Sequence, residues 1–509
     1  VELQKLYFTS FNQDINMLQE PTFLSPAIGW SLIIGLGVFL TLIALVIRLR
    51  LVRNTKDYII ANRKIGLGFS VGAIIAVWTW SMAIVMSAAS AYTWGLSGLL
   101  WFTVPNGIAI IVLAPLAVKL RKTVPNGYTI PDFIRTRLSS PFAAAIATVI
   151  MLTALLFAIL INLKGTILVT SAIFNLNEIA VLAVVLVIVT AYSYLGGLWT
   201  STVTGTINTL LIFVPLSIVV LFALEKIGGP ELVFSTLASK DANTLSIFSY
   251  EAAAGFGLTL ALGLLGASIS DQSFWQKAWA IKPQHLSRSF IWGGALFYPI
   301  PIIAGILGLI GLAYGITLDQ IGGDAASIAP YLLTRIGLPA VLLALFVFVI
   351  LNCSFSTIDG AFSAISSLVA VNVLLPLFPK LSTKAVFTLT KLSIVLFGIL
   401  AGIIVLSGWD FVSLVLLAQA FNASILIPLL LVLTWRRITA AGFSWGIILA
   451  IVLGLTVRSV YGELAGILTI TGISAIVPIV LGLLNKTPFD LAAYTKSIEA
   501  NNDIEQRVG

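Results

Sequence analysis

Charge is scarce in this chain. Only 9% of its 509 residues are Asp, Glu, Lys or Arg, where a soluble domain carries roughly 25%. That shortage excludes a water-soluble enzyme and a disordered chain. Cysteine is nearly missing: Cys353 stands alone, so no intrachain disulfide and no cysteine-rich metal cluster can form. His285 is also alone, which removes any two-histidine metal centre. Alternating apolar and polar residues are lacking too, which excludes an outer-membrane barrel. What is present is hydrophobic sequence, 59% of residues with a mean hydropathy of +1.08. It comes in continuous runs of about 20 residues, the length that crosses a bilayer as a helix. Length alone would suggest about three soluble domains, but composition overrides it. The expected class is an all-α polytopic membrane protein, because backbone in lipid must satisfy its own hydrogen bonds.

Thirteen apolar segments are expected, at about 26–47, 67–91, 98–118, 140–163, 177–195, 200–224, 252–275, 289–314, 337–372, 386–407, 411–434, 441–460 and 464–485. They make one transmembrane domain over 25–485. Residues 1–24 are polar, with Asp14 and Glu20 and no basic stretch before an apolar core, and read as an extracellular segment rather than a signal peptide. Residues 486–509 read as a cytoplasmic tail. Basic residues set the direction. Arg48, Arg50, Arg53, Lys56, Arg63 and Lys64 follow the first segment, and Lys119, Arg121, Lys122, Arg135 and Arg137 follow the third. With odd segments exiting to the cytoplasm, 22 of the 28 Lys and Arg lie inside, which predicts the N-terminus outside and the C-terminus inside. The net charge of +8 is then explained by cytoplasmic loops, and nucleic acid is not an expected partner.

A carboxylate at mid-membrane costs about 2.5–3.5 kcal/mol on insertion scales. Two acidic residues fall within apolar segments, Asp271 and Asp359. Asp271 ends a stretch rich in glycine and serine, 263–272, which suits a helix that breaks at a cavity. Asp271 and Gln272 could there meet a polar solute, or Asp271 could serve as a cap near the cytoplasmic mouth. In the ninth segment Asn352, Ser356, Asp359 and Ser363 recur on one helical face. Such oxygens suit a hard cation such as Na⁺; hydrogen bonding between helices is the alternative. Trp78 and Trp80 lie well inside the second segment, away from the interfacial aromatic belt. They are either packing residues or an aromatic wall for a solute.

Several motifs occur in order. Tyr194-Leu195-Gly196-Gly197-Leu198-Trp199 resembles the Tyr-x-Gly-Gly turn of the sodium:solute symporter family. Ser356-Thr357 followed by Ser366-Ser367 resembles the same family's helix signature. Trp78-Thr79-Trp80 and the run from Asp271-Gln272-Ser273-Phe274-Trp275 to Lys282-Pro283 look closest to the urea active transporter branch. The likeness covers about Asp57 to Leu430.

The resemblance implies a leucine-transporter-type fold, with segments 2–6 (67–224) and 7–11 (252–434) as inverted five-helix repeats. It implies that the second and seventh segments are broken around the solute. It further implies a Na⁺ site from the carbonyls of Ala76, Thr79 and Cys353 and the hydroxyls of Ser356 and Thr357. Trp78, Trp80, Asp271, Gln272 and Trp275 are the expected solute contacts. Two departures stand out. Gly205 takes the place of an aspartate that many members carry in the sixth segment, while Asp359 lies one turn beyond the main cation position. The carboxylate is therefore expected to have moved to the ninth segment, as a second cation or proton site. Urea-type relatives also carry glutamine where this chain has Val77, and a polar pair is diminished at Met86-Ser87-Ala88. The expected function is sodium-coupled symport of a small polar, urea-like solute in the cell membrane. Proton coupling, or an amino acid, monocarboxylate or sugar as solute, is the alternative. No enzymatic constellation and no obligate protein partner are expected.

Overall fold

Polar residues placed just before the apolar runs start the helices. Ser25, Thr129, Ser140, Asn177, Ser382, Asp410 and Thr439 each accept a hydrogen bond from a first-turn backbone N–H, which satisfies one of the donors a helix start leaves free. The computed structural model describes residues 18–485. The expected extracellular segment up to residue 17 and the tail from 486 lie outside the described residues. Residues 18–24 are tied down: Gln19 and Thr22 donate backbone bonds to Arg335 and Thr334, and Leu24 donates to Ile173.

The chain is helical throughout its main elements. They are α1 (Pro26–Leu51), α2 (Leu67–Trp78), α3 (Ser81–Thr123), the short α4 (Ile130–Leu138), α5 (Pro141–Phe174) and α6 (Glu178–Lys226). There follow α7 (Leu258–Ser270), α8 (Gln272–Ala280), α9 (Leu286–Phe297), α10 (Pro299–Ala313) and α11 (Ala340–Leu368). The last three are α12 (Thr383–Val405), α13 (Phe411–Thr434) and α14 (Ala440–Leu484). Among the described residues, ten helical stretches are long and apolar enough to cross a membrane.

Three long helices contain a reversal. Backbone leaves the helical region at Trp94–Gly95 in α3, at Gly197 in α6 and at Gly462 in α14. All three glycines have positive φ, where a side chain is strained. In α14 the two halves fold back on each other: Gly446, Gly454 and Gly466 lie against Pro478, Ile470 and Arg458. At α6 the constraint is doubled, since a Cβ on Gly197 would sit 2.4 Å from the Tyr58 carbonyl oxygen.

α11 is the central element. Every residue from Val349 to Leu368 is buried, and the helix packs between α5 and α6. α1 and α14 expose apolar side chains such as Phe39, Leu42, Val452 and Ile476, as lipid-facing peripheral helices do. Gly263 and Gly266 bring α7 against the backbone of Gln419 and Asn422 in α13. The buried polar stripe of α11 is thus enclosed on all sides.

Candidate cation and solute site

The site begins where α2 stops. Thr79 (φ −80°, ψ 73°) leaves the helix, and Trp80 is extended before α3 starts at Ser81. The new helix start is capped from α5: Asn162 Oδ1 accepts from the Ser81 N–H at 2.8 Å, while its Nδ2 donates to Ala158. Breaking the helix frees carbonyls that a continuous helix would use. Thr357 Oγ1 of α11 lies 3.5 Å from the carbonyl oxygens of both Val77 and Thr79. Next to it, the Ser356 hydroxyl is buried with no hydrogen-bond partner. A hard cation takes oxygen ligands, and the Ser356 hydroxyl and the Val77 and Thr79 carbonyls are oxygens of that kind. Of the expected residues, Thr79 and Thr357 come together here, joined by Val77, with Ser356 next to Thr357 in sequence. Ala76 is buried against Gly205, where an added Cβ would meet its own at 3.3 Å. Cys353 is a free, buried thiol one turn before Thr357.

Asp359 lies half a turn further along α11. Ser193 Oγ donates to its Oδ1 at 2.5 Å, and the Ser193 carbonyl accepts from the Tyr58 hydroxyl at 3.0 Å. Its Oδ2 has no hydrogen-bond partner. Thr204 of α6, the residue before Gly205, also faces this carboxylate. The α11 carboxylate therefore enters the neighbourhood of α6 where the helix itself carries glycine. Asn352 Nδ2 donates to the Phe348 carbonyl and leaves its Oδ1 orphaned.

On the solute side, Trp78 and Trp80 flank the break instead of lying within a continuous helix. Their rings are 6.0 Å apart, and Trp78 is 5.4 Å from Phe274 of α8. Both indole N–H groups are buried without partners. The second break is at Asp271, extended between α7 and α8, whose Oδ1 accepts from the Ser273 N–H at 2.7 Å. It caps α8.

Two of the expected solute contacts have their polar groups bonded within the protein. Gln272 Nε2 donates to the Tyr128 carbonyl, and its Oε1 accepts from the Ile130 N–H. Trp275 Nε1 donates to the Ile269 carbonyl at 2.7 Å, across the break. These bonds tie the break to residues 128–130 and to the end of α7.

Gln419 of α13 escaped the sequence reading. It is fully buried, and both ends of its amide lack partners. Gln419 and Asn422 are the two amides of this apolar segment, and nothing in the sequence shows that Gln419 lacks a partner.

Residues 58–450 match the profile described as "Sodium:solute symporter family". The chain belongs to the sodium:solute symporter family. It is 23% identical over 479 residues to a urea-proton symporter of Oryza sativa subsp. japonica, covering 85% of this chain and 65% of that protein. It is 26% identical over 312 residues to a probable urea active transporter 1 of Schizosaccharomyces pombe (strain 972), covering 57% and 46%. The chain thus spans less than two thirds of the length of these curated relatives. Among solved structures, it resembles a substrate-bound, outward-open Na⁺-coupled sialic acid symporter with a TM-score of 0.74 and 18% identity. That likeness covers 91% of this chain and 99% of the other, and at this identity it speaks for the fold. The chain of this symporter family is a multi-pass membrane protein.

Proposed function

We propose that this protein is a secondary active transporter of the plasma membrane that couples cation entry to uptake of a small polar, urea-like solute. The observation that carries the reading is the buried, unpartnered Ser356 hydroxyl next in sequence to Thr357, whose own hydroxyl lies 3.5 Å from the freed carbonyls of Val77 and Thr79. In this reading Na⁺ is a co-transported substrate, held by the carbonyls of Ala76, Thr79 and Cys353 and the hydroxyls of Ser356 and Thr357, with Val77 as a further donor. Because these donors come from both α2 and α11, the ion clamps the two helices together and completes the solute site between the α2 and α7 breaks. Trp78, Trp80, Asp271 and Gln419 line that site. Neutral ligands leave the ion's charge uncompensated, which favours its later release.

Taking each reversal in α3, α6 and α14 as a boundary between spans gives thirteen transmembrane helices. They form inverted repeats over 67–224 and 252–434, with the N-terminus outside and the C-terminus inside. Rocking of one repeat against the other then exposes the site alternately to each side. One monovalent ion crossing 100 mV contributes about 2.3 kcal/mol. A tenfold ion gradient adds about 1.4 kcal/mol. Together they support roughly 500-fold accumulation of a neutral solute at one ion per cycle.

Asp359 supports a second reading for the coupling ion. Its unpartnered Oδ2 is free to accept a proton or a second cation, and the Oryza sativa relative carries a urea-proton symporter description. Proteoliposome uptake of labelled urea under imposed Na⁺ or pH gradients, with amino acids, monocarboxylates and sugars as competitors, decides between them. Sodium-driven urea uptake is the expected result. Uptake driven by a pH gradient and indifferent to Na⁺ would transfer the coupling to protons. Asp359→Asn should alter the dependence on Na⁺ or on pH. Unchanged ion dependence in that variant would remove Asp359 from the ion path.

A further inference from the structure

Lys277 is a buried cation that the site leaves unused. It lies in α8, is 1% exposed, and its ammonium has no hydrogen-bond partner among the described residues. Its charge pattern reads as one more cytoplasmic lysine, yet the fold encloses it. An ammonium withdrawn from water is strongly unfavourable unless another charge compensates it.

The neighbouring residue fixes where Lys277 sits. Gln276 Oε1 accepts from the Ser363 hydroxyl at 3.3 Å, and Gln276 Nε2 donates to the Ile59 carbonyl at 2.5 Å. Ser363 is one turn along α11 from Asp359, so α8 docks beside the turn that carries the carboxylate. Asp271 and Asp359 are the acidic groups whose fields reach the ammonium. Asp271 already caps α8 through Ser273. Asp359 keeps Oδ2 unpartnered. An orphaned ammonium and an orphaned carboxylate oxygen therefore share one buried region, each within the other's field, without a hydrogen bond between them.

We propose that Lys277 is a tethered counter-ion of Asp359, closing on its free oxygen and so keeping a cation from the carboxylate. This inference rests on the cation-site reading given above. Lys277 is then a positioning residue acting through Asp359. It keeps the empty site near neutrality and excludes an additional cation from the carboxylate. Arginine could replace it, and a neutral side chain could not.

Radiolabelled Na⁺ binding to the purified full chain tests the idea. Lys277→Met should bind one more Na⁺ equivalent than wild type, Lys277→Arg should not, and Lys277→Met with Asp359→Asn should return to the wild-type count. An unchanged count in Lys277→Met overturns the proposal. A thermal double-mutant cycle in sodium-free, solute-free buffer judges the pair without any ion. Each single variant should lower the melting temperature, and the double variant should lower it by less than the two shifts combined. Additive shifts overturn the pairing. Should wild type bind no Na⁺, the coupling-ion reading falls, while the thermal cycle still decides the counter-ion. If Lys277→Met does not fold, rescue by Asp359→Asn supports the pair, and failure of the double variant overturns it.

Discussion

At the scale of single residues, Ser356 differs from its neighbours in lacking any hydrogen-bond partner. Ser354, two positions away, donates to the Asn162 carbonyl and accepts from Thr166. Ser193 bonds Asp359, and Ser363 bonds Gln276. Removing the Ser356 oxygen therefore breaks no internal bond and, in the proposed site, withdraws one cation donor. Ser356→Ala should raise the Na⁺ concentration for half-maximal uptake about tenfold, a loss of about 1.4 kcal/mol, with little change in melting temperature. A large thermal shift at unchanged Na⁺ dependence would make the serine structural. The helical spacing of Ser356 and Asp359 was readable in the chain. Lys277 and Gln419 were not, since their significance lies in what fails to reach them. Gln272 has partners that the sequence does not reveal. Its amide looks available along the chain, and residues 128–130 take both ends.

Elements show how much the breaks depend on support from elsewhere. The α2–α3 break persists because Asn162 of α5 caps the new helix at Ser81. Losing a cap costs about 0.5–2 kcal/mol. Asn162→Ala should lower the melting temperature and weaken Na⁺ binding together, because the carbonyls of Val77 and Thr79 lose their fixed orientation. Isothermal Na⁺ binding alongside a melting curve checks this, and a thermal loss with Na⁺ affinity intact would separate cap from site. The α6 reversal has a local requirement at Gly197, whose φ is +54°. Gly197→Ala should sharply reduce the yield of folded protein, measured by size-exclusion chromatography in detergent. Wild-type yield would show that the turn tolerates a side chain. The Tyr-x-Gly-Gly motif was legible as a turn. That Tyr58 presses its carbonyl into the same turn was not, since 139 positions separate the two residues.

For the whole molecule, the distribution of basic residues argues direction. Glu225 and Lys380 are both exposed and lie on opposite sides in the proposed topology, while the native Cys353 is buried. In intact cells, a membrane-impermeant thiol reagent should label Glu225→Cys and leave Lys380→Cys unlabelled. The reverse pattern would invert the topology. Composition and apolar run length sufficed for the helical membrane class, because lipid imposes the same demand on every backbone group regardless of its partners. Motif order sufficed for the family. Neither could say that α11 is enclosed along its whole polar stripe, that Gln272 and Trp275 brace a break, or that α8, which carries Lys277, docks beside the turn of α11 that carries Asp359. Hydropathy is a sum over neighbours in sequence, whereas a hydrogen bond or a charge pair depends on distance through space. Asp359 and Lys277 are 82 positions apart along the chain, and the Gln276–Ser363 contact brings their helices together.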